Sequence, residues 1–258
     1  MANLTPAIFF GHGSPIITLT SNLYTEGWKA IGQSLTKPKA ILCISAHWYT
    51  ASTGVVVNTA PQTIHDFGYM GQLADIRYPA PGDPNLARRV QKLLAPIPVD
   101  LSTKWGFDHG TWTVMRHVFP LADVPIVQLS IDAHLAPQFH YQIGQRLAPL
   151  REEGIMIVGS GNVVHNQAQF VRNQPTLEAY DWARIFDARL RDLLMAGDHK
   201  SLAAYESLGA ESKLAIPTPD HYLPLLYVLG ASHKQDKVRF PIRGIDGGSM
   251  SMLTVKLS

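Results

Sequence analysis

Four short apolar runs constrain the fold of this 258-residue chain more than any other feature of its sequence. Each run lacks charged residues, which is typical of strands buried on both faces of a sheet. The predicted strands cover residues 7–10, 40–46, 126–130 and 155–159. A further run at residues 252–257 predicts one more strand, which we place at an edge of the sheet.

Amphipathic segments lie between the predicted strands. Asp83 followed by Pro84 is the pattern of a helix N-cap and a first helical residue, and apolar residues then recur at helical spacing over residues 86–94. Two similar patterns cover residues 139–150 and 182–194. Helices that alternate with buried strands predict an α/β fold in which helices cover both faces of the sheet.

Glycine and proline, 20 and 18 residues respectively, are spread along the whole chain. We therefore expect one domain spanning residues 1–258, with many loops and no linker. The longest predicted loop covers residues 58–82, where turn-forming residues occur without a helical or strand period. A long loop in a compact domain is usually functional.

Composition excludes several classes of protein. The hydrophobic fraction is 46% and the charged fraction 16%, so the chain can bury a substantial core and is not disordered. The formal net charge of +2 lacks the basic excess of a nucleic-acid binder, and the single cysteine, Cys43, excludes a disulfide framework or a cysteine-based zinc finger. No signal peptide or membrane-spanning run is recognisable. We therefore expect a cytoplasmic protein without membrane or nucleic-acid partners.

Histidines follow three of the predicted strands. His12 lies between two glycines just after the first strand, His47 directly follows the second, and His165 lies in the turn after residues 155–159. Ligands of open α/β sheets bind at the carboxyl ends of the strands, so these side chains are expected to converge. His109 and His221 occur in similar turn-rich segments.

Converging imidazoles without thiolates indicate a metal site. Imidazole is the commonest protein ligand for metals and the usual acid/base group near neutral pH, and such a donor set suits Fe(II), Zn(II) or a similar ion. A catalytic metal keeps coordination positions open, so three of the histidines would bind it and the others would move protons. The residues alone predict an α/β metalloenzyme, and their spacing leaves the identity of the metal open. Each histidine taken singly is also compatible with a structural role in a turn or in the core.

Eight short motifs in order carry a family resemblance that covers nearly the whole chain. The chain resembles the class III extradiol ring-cleavage dioxygenases, and specifically their 4,5-DOPA-dioxygenase-like branch. The motifs are residues 11–15 (GHGSP), 45–48 (SAHW), 65–67 (HDF), 78–82 (YPAPG), 108–112 (DHGTW), 127–130 (VQLS), 159–166 (GSGNVVHN) and 221–225 (HYLPL).

The resemblance implies a fold, a reaction and a set of site residues. The fold is a single α/β domain with a central mixed sheet between helix layers. The reaction opens the ring of a DOPA-like catechol outside its diol and inserts both atoms of O2, at a mononuclear non-haem Fe(II). By resemblance, His12, His47 and His221 hold the metal, while His109 and His165 are the acid/base residues. Three neutral imidazoles also favour Zn(II), which we expect to occupy the site in purified protein.

Further residues near these motifs are expected to contact the substrate. Trp48 and Tyr222 adjoin proposed ligands and would form walls against an aromatic ring. His65, in the predicted loop, would contact the substrate's side chain. Asp108 would orient a neighbouring histidine. Of the two acid/base residues, we expect the main role to fall to His165 and contact with O2 or a substrate oxygen to fall to His109.

Two other functions use the same residues. A zinc-dependent hydrolase would employ the histidines to activate water, although such enzymes usually pair the zinc with a general-base glutamate, and no glutamate lies next to the proposed ligands. A non-catalytic binding protein on this scaffold would have no use for His109 and His165, yet both are present. Dependence on O2 separates the dioxygenase from both alternatives.

Overall fold

A computed structural model describes residues 4–68, 71–172 and 178–258 of the protein. The strands are β1 Ala7–Gly11, β2 Ala40–Thr50, β3 Gly54–Val56, β4 Asp100–Ser102, β5 Ile126–Asp132, β6 Ile155–Gly161, β7 Val238–Ile242, β8 Ile245–Asp246, β9 Met250–Ser251 and β10 Thr254–Leu257. The helices are α1 Leu23–Ser34, α2 Pro84–Leu94, α3 His109–Val118, α4 Pro137–Leu147, α5 Pro149–Glu152, α6 Asp181–Ala196, α7 His199–Ala203, α8 Glu211–Ala215 and α9 Leu223–Gly230.

Eight of the strands form one mixed sheet, in the order β4-β3-β5-β2-β6-β1-β10-β7. The four central strands β5, β2, β6 and β1 are parallel, whereas β10 runs antiparallel to β1 and β7 antiparallel to β10. The central strands are those predicted from the apolar runs. The short strands β8 and β9 form a separate antiparallel pair.

Side chains from the central strands alternate between two cores. Ala7 and Phe9 of β1 belong to a core that includes side chains of α2, α4, α6 and α9. Ile8 and Phe10 belong to a second core, on the opposite face, that includes side chains of α1 and α3. This alternation has the two-residue period of a strand. The predicted α/β fold, a central mixed sheet with helices on both faces, is confirmed.

The strand predicted at residues 252–257 is present as β10, but its predicted edge position is wrong. It lies between β1 and β7, and β7 forms the edge. Arg239 and Pro241 interrupt the apolar pattern of β7, so its sequence does not stand out as a strand. Charges and proline are typical of edge strands, because they discourage pairing with another chain.

Aspartate side chains cap the first turns of α2 and α3. The carboxylate of Asp83 accepts hydrogen bonds from the backbone N–H groups of Asn85 (2.9 Å) and Leu86 (3.0 Å), which confirms the predicted start of α2. The carboxylate of Asp108 accepts the N–H of Thr111 (3.2 Å) at the start of α3. This cap fixes the position of His109, the first residue of α3.

The predicted long loop over residues 58–82 is anchored at its centre, although its residues 69–70 lie outside the described ranges. The N–H of Ile64 donates to the carbonyl of Phe107 (2.7 Å), and the N–H of Phe107 donates to the carbonyl of Gln62 (2.8 Å). The indole of Trp112 in α3 also donates to the Ile64 carbonyl (2.9 Å). These bonds hold the loop against the segment that precedes His109.

A buried ion pair lies at the amino end of the parallel strands, before β1 and β6 begin. The guanidinium of Arg151 is fully buried and makes two bonds to the carboxylate of Asp236, at 2.6 and 2.8 Å. Its other bonds reach the carbonyls of Thr5, Ala231 and Leu257. Although burial alone would raise the pKa of Asp236, the bonds to Arg151 lower it below its usual value.

In the described part of the chain, no helix combines the length and the apolar character that crossing a bilayer requires.

Candidate metal centre

Five histidines converge at the carboxyl ends of the parallel strands. His12 follows β1, His47 lies in β2, His109 begins α3, His165 follows β6 and His221 precedes α9. The ring centroids of His47 and His109 are 3.7 Å apart, and those of His165 and His221 are 3.5 Å apart. The His12 ring lies 5.0 Å from that of His47 and 5.2 Å from that of His221. The structure therefore brings together all five predicted histidines.

His12, His47 and His221 have the geometry of a metal-binding group. One ligand atom from each lies within 4.8 Å of those of the other two. The Nε2 atoms of His12 and His47 are 3.1 Å apart. Ligand nitrogens of a tetrahedral zinc are roughly 3.3 Å apart, given a metal–nitrogen distance of about 2.0–2.1 Å. The two nitrogens therefore lie at the separation that a shared metal ion requires.

The opposite ring nitrogen of each of these histidines has a partner that is not a histidine. His12 Nδ1 lies 3.0 Å from Ser160 Oγ. The Ser160 hydroxyl donates its own proton to the carbonyl of Gly110 (2.5 Å), so it accepts from His12. Carboxylates occupy the same role at the other two rings: Asp66 Oδ2 lies 3.3 Å from His47 Nδ1, and Asp220 bonds His221 Nδ1. With Nδ1 protonated in each ring, the Nε2 lone pairs remain for a metal.

Burial favours the neutral form of two of the candidate ligands. It lowers the pKa of His12 and of His47 well below the usual value for histidine, and the surrounding imidazoles lower it further. A metal binds neutral imidazole, so this environment favours the ligand form. Three imidazole donors suit both Fe(II) and Zn(II). The donor set therefore fits the metal that the family resemblance implies.

Asp66 holds His109 by two bonds. The backbone N–H of His109 donates to Asp66 Oδ1, and His109 Nδ1 donates to Asp66 Oδ2, each at 2.9 Å. Because Oδ2 is also close to His47, the atoms of His47, Asp66 and His109 form a second group within 4.8 Å. Burial raises the pKa of Asp66, but the bonds and charge of His109 outweigh burial and lower it.

His165 is held by its backbone and by stacking. Its N–H donates to the carbonyl of Ala215 (2.8 Å), and it forms a bridge with Met250. Its ring lies parallel to that of His221, with an angle of 5° between the planes. Burial, followed by the charge of His221, lowers the pKa of His165 to about 3. His165 is therefore a neutral imidazole at neutral pH.

Two glycines allow the backbone to approach these rings. A Cβ on Gly110 would lie 2.5 Å from Ser45 Oγ and 3.0 Å from the His47 ring, so glycine lets α3 begin against β2. A Cβ on Gly161 would lie 2.1 Å from the carbonyl oxygen of His221. The same carbonyl accepts the N–H of Asn162 (2.9 Å), which ties His221 to the end of β6.

The structure places Asp108 beneath the site. Its carboxylate is fully buried and accepts bonds from Ser45 Oγ (2.6 Å), from the amide of Gln128 and from the Thr111 N–H. Burial raises its pKa to about 6. Asp108 therefore supports the start of α3, next to His109, and its hydrogen bonds go to groups other than imidazoles.

The predicted aromatic contacts lie outside the cluster of five rings. Trp48 is buried and stacks on Trp105, with centroids 5.4 Å apart. Tyr222 is buried in the core, where its hydroxyl donates to the carbonyl of Leu202 (2.8 Å). His65 lies nearer the cluster, because its ring contacts Phe67 (5.8 Å) and Phe67 contacts His109 (5.4 Å).

Sequence reasoning missed Ser160, Asp66 and Asp220 as site residues. Asp66 and Asp220 each lie next to a histidine in a loop, and Ser160 lies between two glycines at the end of a strand. A polar residue beside a histidine, or between glycines at the end of a strand, could have indicated a group that orients a metal ligand. Asp220 bonds the histidine that directly follows it, whereas Asp66 and Ser160 bond histidines in distant segments, which the local sequence does not reveal.

Comparison with known proteins identifies the class. Residues 8–249 match the family described as the catalytic LigB subunit of aromatic ring-opening dioxygenase. The chain belongs to this family, which confirms the resemblance and the enzyme class predicted from the motifs.

Individual relatives carry a more specific name. The chain is 48% identical to a protein of Escherichia coli K12 named 4,5-DOPA dioxygenase extradiol, over 98% of this chain and 94% of the relative. It is 37% identical to a protein of Beta vulgaris with the same name, over 99% and 97% of the two chains. A crystal structure of an uncharacterized protein from Escherichia coli K12 superposes with a TM-score of 0.86, at 42% identity, and covers 98% of this chain and 100% of that one.

Proposed function

We propose that the protein is an extradiol dioxygenase that opens the ring of a DOPA-like catechol at a mononuclear Fe(II) held by His12, His47 and His221. The observation that carries this proposal is the set of three imidazoles whose Nδ1 atoms are held and whose Nε2 atoms remain for a metal. The names of the relatives support the substrate class. Zn(II) suits the same donors, so we expect it to bind in purified protein without supporting turnover.

Iron bound there would supply the acidification of a coordinated phenol and the activation of O2. The protein would supply the proton transfers. His165 is neutral, and in the described part of the chain neither of its ring nitrogens has a hydrogen-bond partner. A negatively charged catechol oxygen beside the ring would raise the pKa that burial lowers, so that His165 could take the second proton of the catechol and return it to the ring-opened product.

His109 is proposed to contact O2 or a substrate oxygen. Its Nδ1 is held by Asp66, and among the described residues its Nε2 has no hydrogen-bond partner. The imidazole can therefore use Nε2 towards a bound molecule while its orientation stays fixed. This role complements that of His165, whose ring lies against a different proposed ligand.

Four other residues are proposed to shape the substrate pocket. The Nε2 atom of His65 is buried and has no hydrogen-bond partner among the described residues, which supports contact with a polar group on the substrate's side chain. Trp48 and Tyr222 adjoin His47 and His221 in sequence, and their buried rings would hold the walls of the pocket from behind. Asp108 would act in the same indirect way, through the start of α3.

We also propose that residues 1–258 form one catalytic domain. Strands from both ends of the chain support this proposal, because β1 and β10 pair with each other within the same sheet.

Oxygen uptake tests the proposed function. Metal-free protein is reconstituted anaerobically with Fe(II) and mixed with DOPA, catechol or protocatechuate in a calibrated oxygen electrode. We expect iron-dependent uptake of one O2 per ring opened and a new yellow product, with no uptake by zinc-loaded protein. Absence of uptake with every catechol, from protein that holds stoichiometric Fe(II), would favour the hydrolase or the binding protein.

A further inference from the structure

Asp66 is the one carboxylate among the described residues that contacts both a candidate metal ligand and a candidate acid/base residue of this site. We propose that Asp66 is a positioning residue that fixes the proton of both His47 and His109 on Nδ1, so that both Nε2 atoms face the site as lone pairs. The role of these lone pairs in turnover rests on the proposed function. The positions of the protons on the two rings do not depend on the proposed function.

The two carboxylate oxygens of Asp66 have separate tasks. Oδ1 accepts the backbone N–H of His109 at 2.9 Å and so binds the loop to the start of α3. Oδ2 lies 2.9 Å from His109 Nδ1 and 3.3 Å from His47 Nδ1. A carboxylate oxygen only accepts hydrogen bonds, so Nδ1 of His109 is the donor, and the negative charge of the same oxygen near His47 Nδ1 favours a proton on that nitrogen too. One oxygen therefore determines the tautomer of two rings.

The surroundings of Asp66 limit its movement. Ile64, two residues before it, exchanges hydrogen bonds with the segment around Phe107 and Trp112. Phe67, the next residue, lies edge-on to the His109 ring. The side chain of Asp66 is only 15% exposed. A loop residue held in this way can orient its partners as firmly as a residue of the sheet.

Asp220 differs in what it controls. Among the described residues, His221 is the one histidine whose ring its carboxylate bonds, so Asp220 orients a candidate ligand without reaching His109. The same carboxylate–imidazole contact thus occurs twice at this site, and only the contact made by Asp66 extends to a second histidine. The comparison offers a matched control for the test.

Asp66→Asn separates the two tasks. The amide oxygen of asparagine can still accept the His109 backbone N–H, which keeps the loop anchored. The amide NH2 would then face the two ring nitrogens and could only donate to them. Nδ1 of His109 would become the acceptor, and its proton would move to Nε2.

Tautomers can be read directly by nitrogen–proton NMR of the imidazole rings in zinc-loaded, ¹⁵N-labelled protein. In the wild-type protein we expect the Nδ1–H tautomer for His47 and His109. In Asp66→Asn we expect His109 to change to the Nε2–H form. Asp220→Asn should leave the His109 tautomer unchanged. A wild-type spectrum with the His109 proton on Nε2 would overturn the proposal, whether or not any variant folds.

Kinetics and metal content complete the test. With Fe(II) saturating, Asp66→Asn should lower kcat by about 10- to 100-fold, the usual effect of removing an orienting partner, with KM changed less than about twofold. Asp75→Asn, an exposed carboxylate of the same loop, should match the wild type. Binding of two zinc ions by the wild type and one by Asp66→Asn would instead make Asp66 a metal ligand and overturn the proposal.

Discussion

The two ends of the parallel strands differ in how far their buried polar groups are hydrogen-bonded within the protein. At the amino end, the fully buried guanidinium of Arg151 makes five hydrogen bonds, two of them to Asp236. At the carboxyl end, five imidazoles lie close together. In the described structure the Nε2 atoms of His109 and His221 and both ring nitrogens of His165 have no hydrogen-bond partner, because Asp66 and Asp220 bond only Nδ1 of the first two rings. At the amino end, other groups of the protein satisfy the hydrogen bonds of the buried guanidinium. The carboxyl end leaves ring nitrogens for a metal and a substrate.

This difference suggests that the amino end contributes to the stability of the fold and the carboxyl end to its function. A buried charge that is paired and hydrogen-bonded holds segments together, and removing its partner is strongly destabilising. Buried imidazoles that repel one another's protonation stabilise the fold little by themselves. Active sites commonly carry such a loss of stability in exchange for reactivity. The predictions below test whether each end does only one of these tasks.

Loss of a metal ligand should have the largest effect. His12→Ala and His47→Ala each remove one of three nitrogen donors, so we expect loss of stoichiometric metal and of all ring-opening activity. Metal content is measured after anaerobic loading and desalting, with circular dichroism to show that the fold remains. Stoichiometric iron or zinc in either variant would refute the assignment of ligands.

Removal of the acid/base residue should slow turnover without releasing the metal. We expect His165→Ala to bind Fe(II) as the wild type does and to lower kcat by about 10²–10⁴-fold, the range for a general acid or base. Steady-state oxygen uptake at saturating catechol measures this effect. Near-normal kcat would show that His165 moves no proton in the rate-limiting step.

Removal of Asp236 should affect stability alone. Asp236→Ala leaves the buried charge of Arg151 without its partner, and we expect the free energy of unfolding to fall by about 3–5 kcal/mol. Urea denaturation of the metal-free protein measures the loss. Since Asp236 lies at the far end of the sheet, kcat of the folded variant should equal that of the wild type. A changed kcat would contradict the separation of the two ends.

The two ends should also titrate in different ranges of pH. Folding lowers the pKa of His165 to about 3, so below about pH 6.5 the unfolded chain binds more protons than the folded protein. The free energy of unfolding therefore decreases as the pH decreases, by about 1.4 kcal/mol per pH unit for such a group. Folding lowers the pKa of Asp236 too, but its contribution is present above about pH 4 and is lost only below it. Urea unfolding of the metal-free protein from pH 7 to 5 should show a slope that His165→Ala reduces. An unchanged slope would contradict this origin of the pH dependence.

Much of the sheet and of the histidine cluster could be predicted from the sequence. The apolar runs located the central strands because strands buried on both faces need uninterrupted apolar residues. The histidines were found because they directly follow those runs or lie in turns. The edge strand β7 was missed because its charged and proline residues hide the pattern.

The groups that orient the histidines could not be assigned in the same way. Asp66 reaches His109 across 43 residues of sequence, and Ser160 reaches His12 across 148. Arg151 likewise finds Asp236 85 residues away. Such pairs depend on the three-dimensional arrangement of the strands, and no local sequence pattern predicts them.

A crystal structure of the iron-loaded protein, with anomalous scattering recorded at the iron edge, tests the central claim most directly. The account predicts one iron about 2 Å from the Nε2 atoms of His12, His47 and His221, with Asp66 still bonded to Nδ1 of His109. A single iron seated between His47, Asp66 and His109 would contradict it.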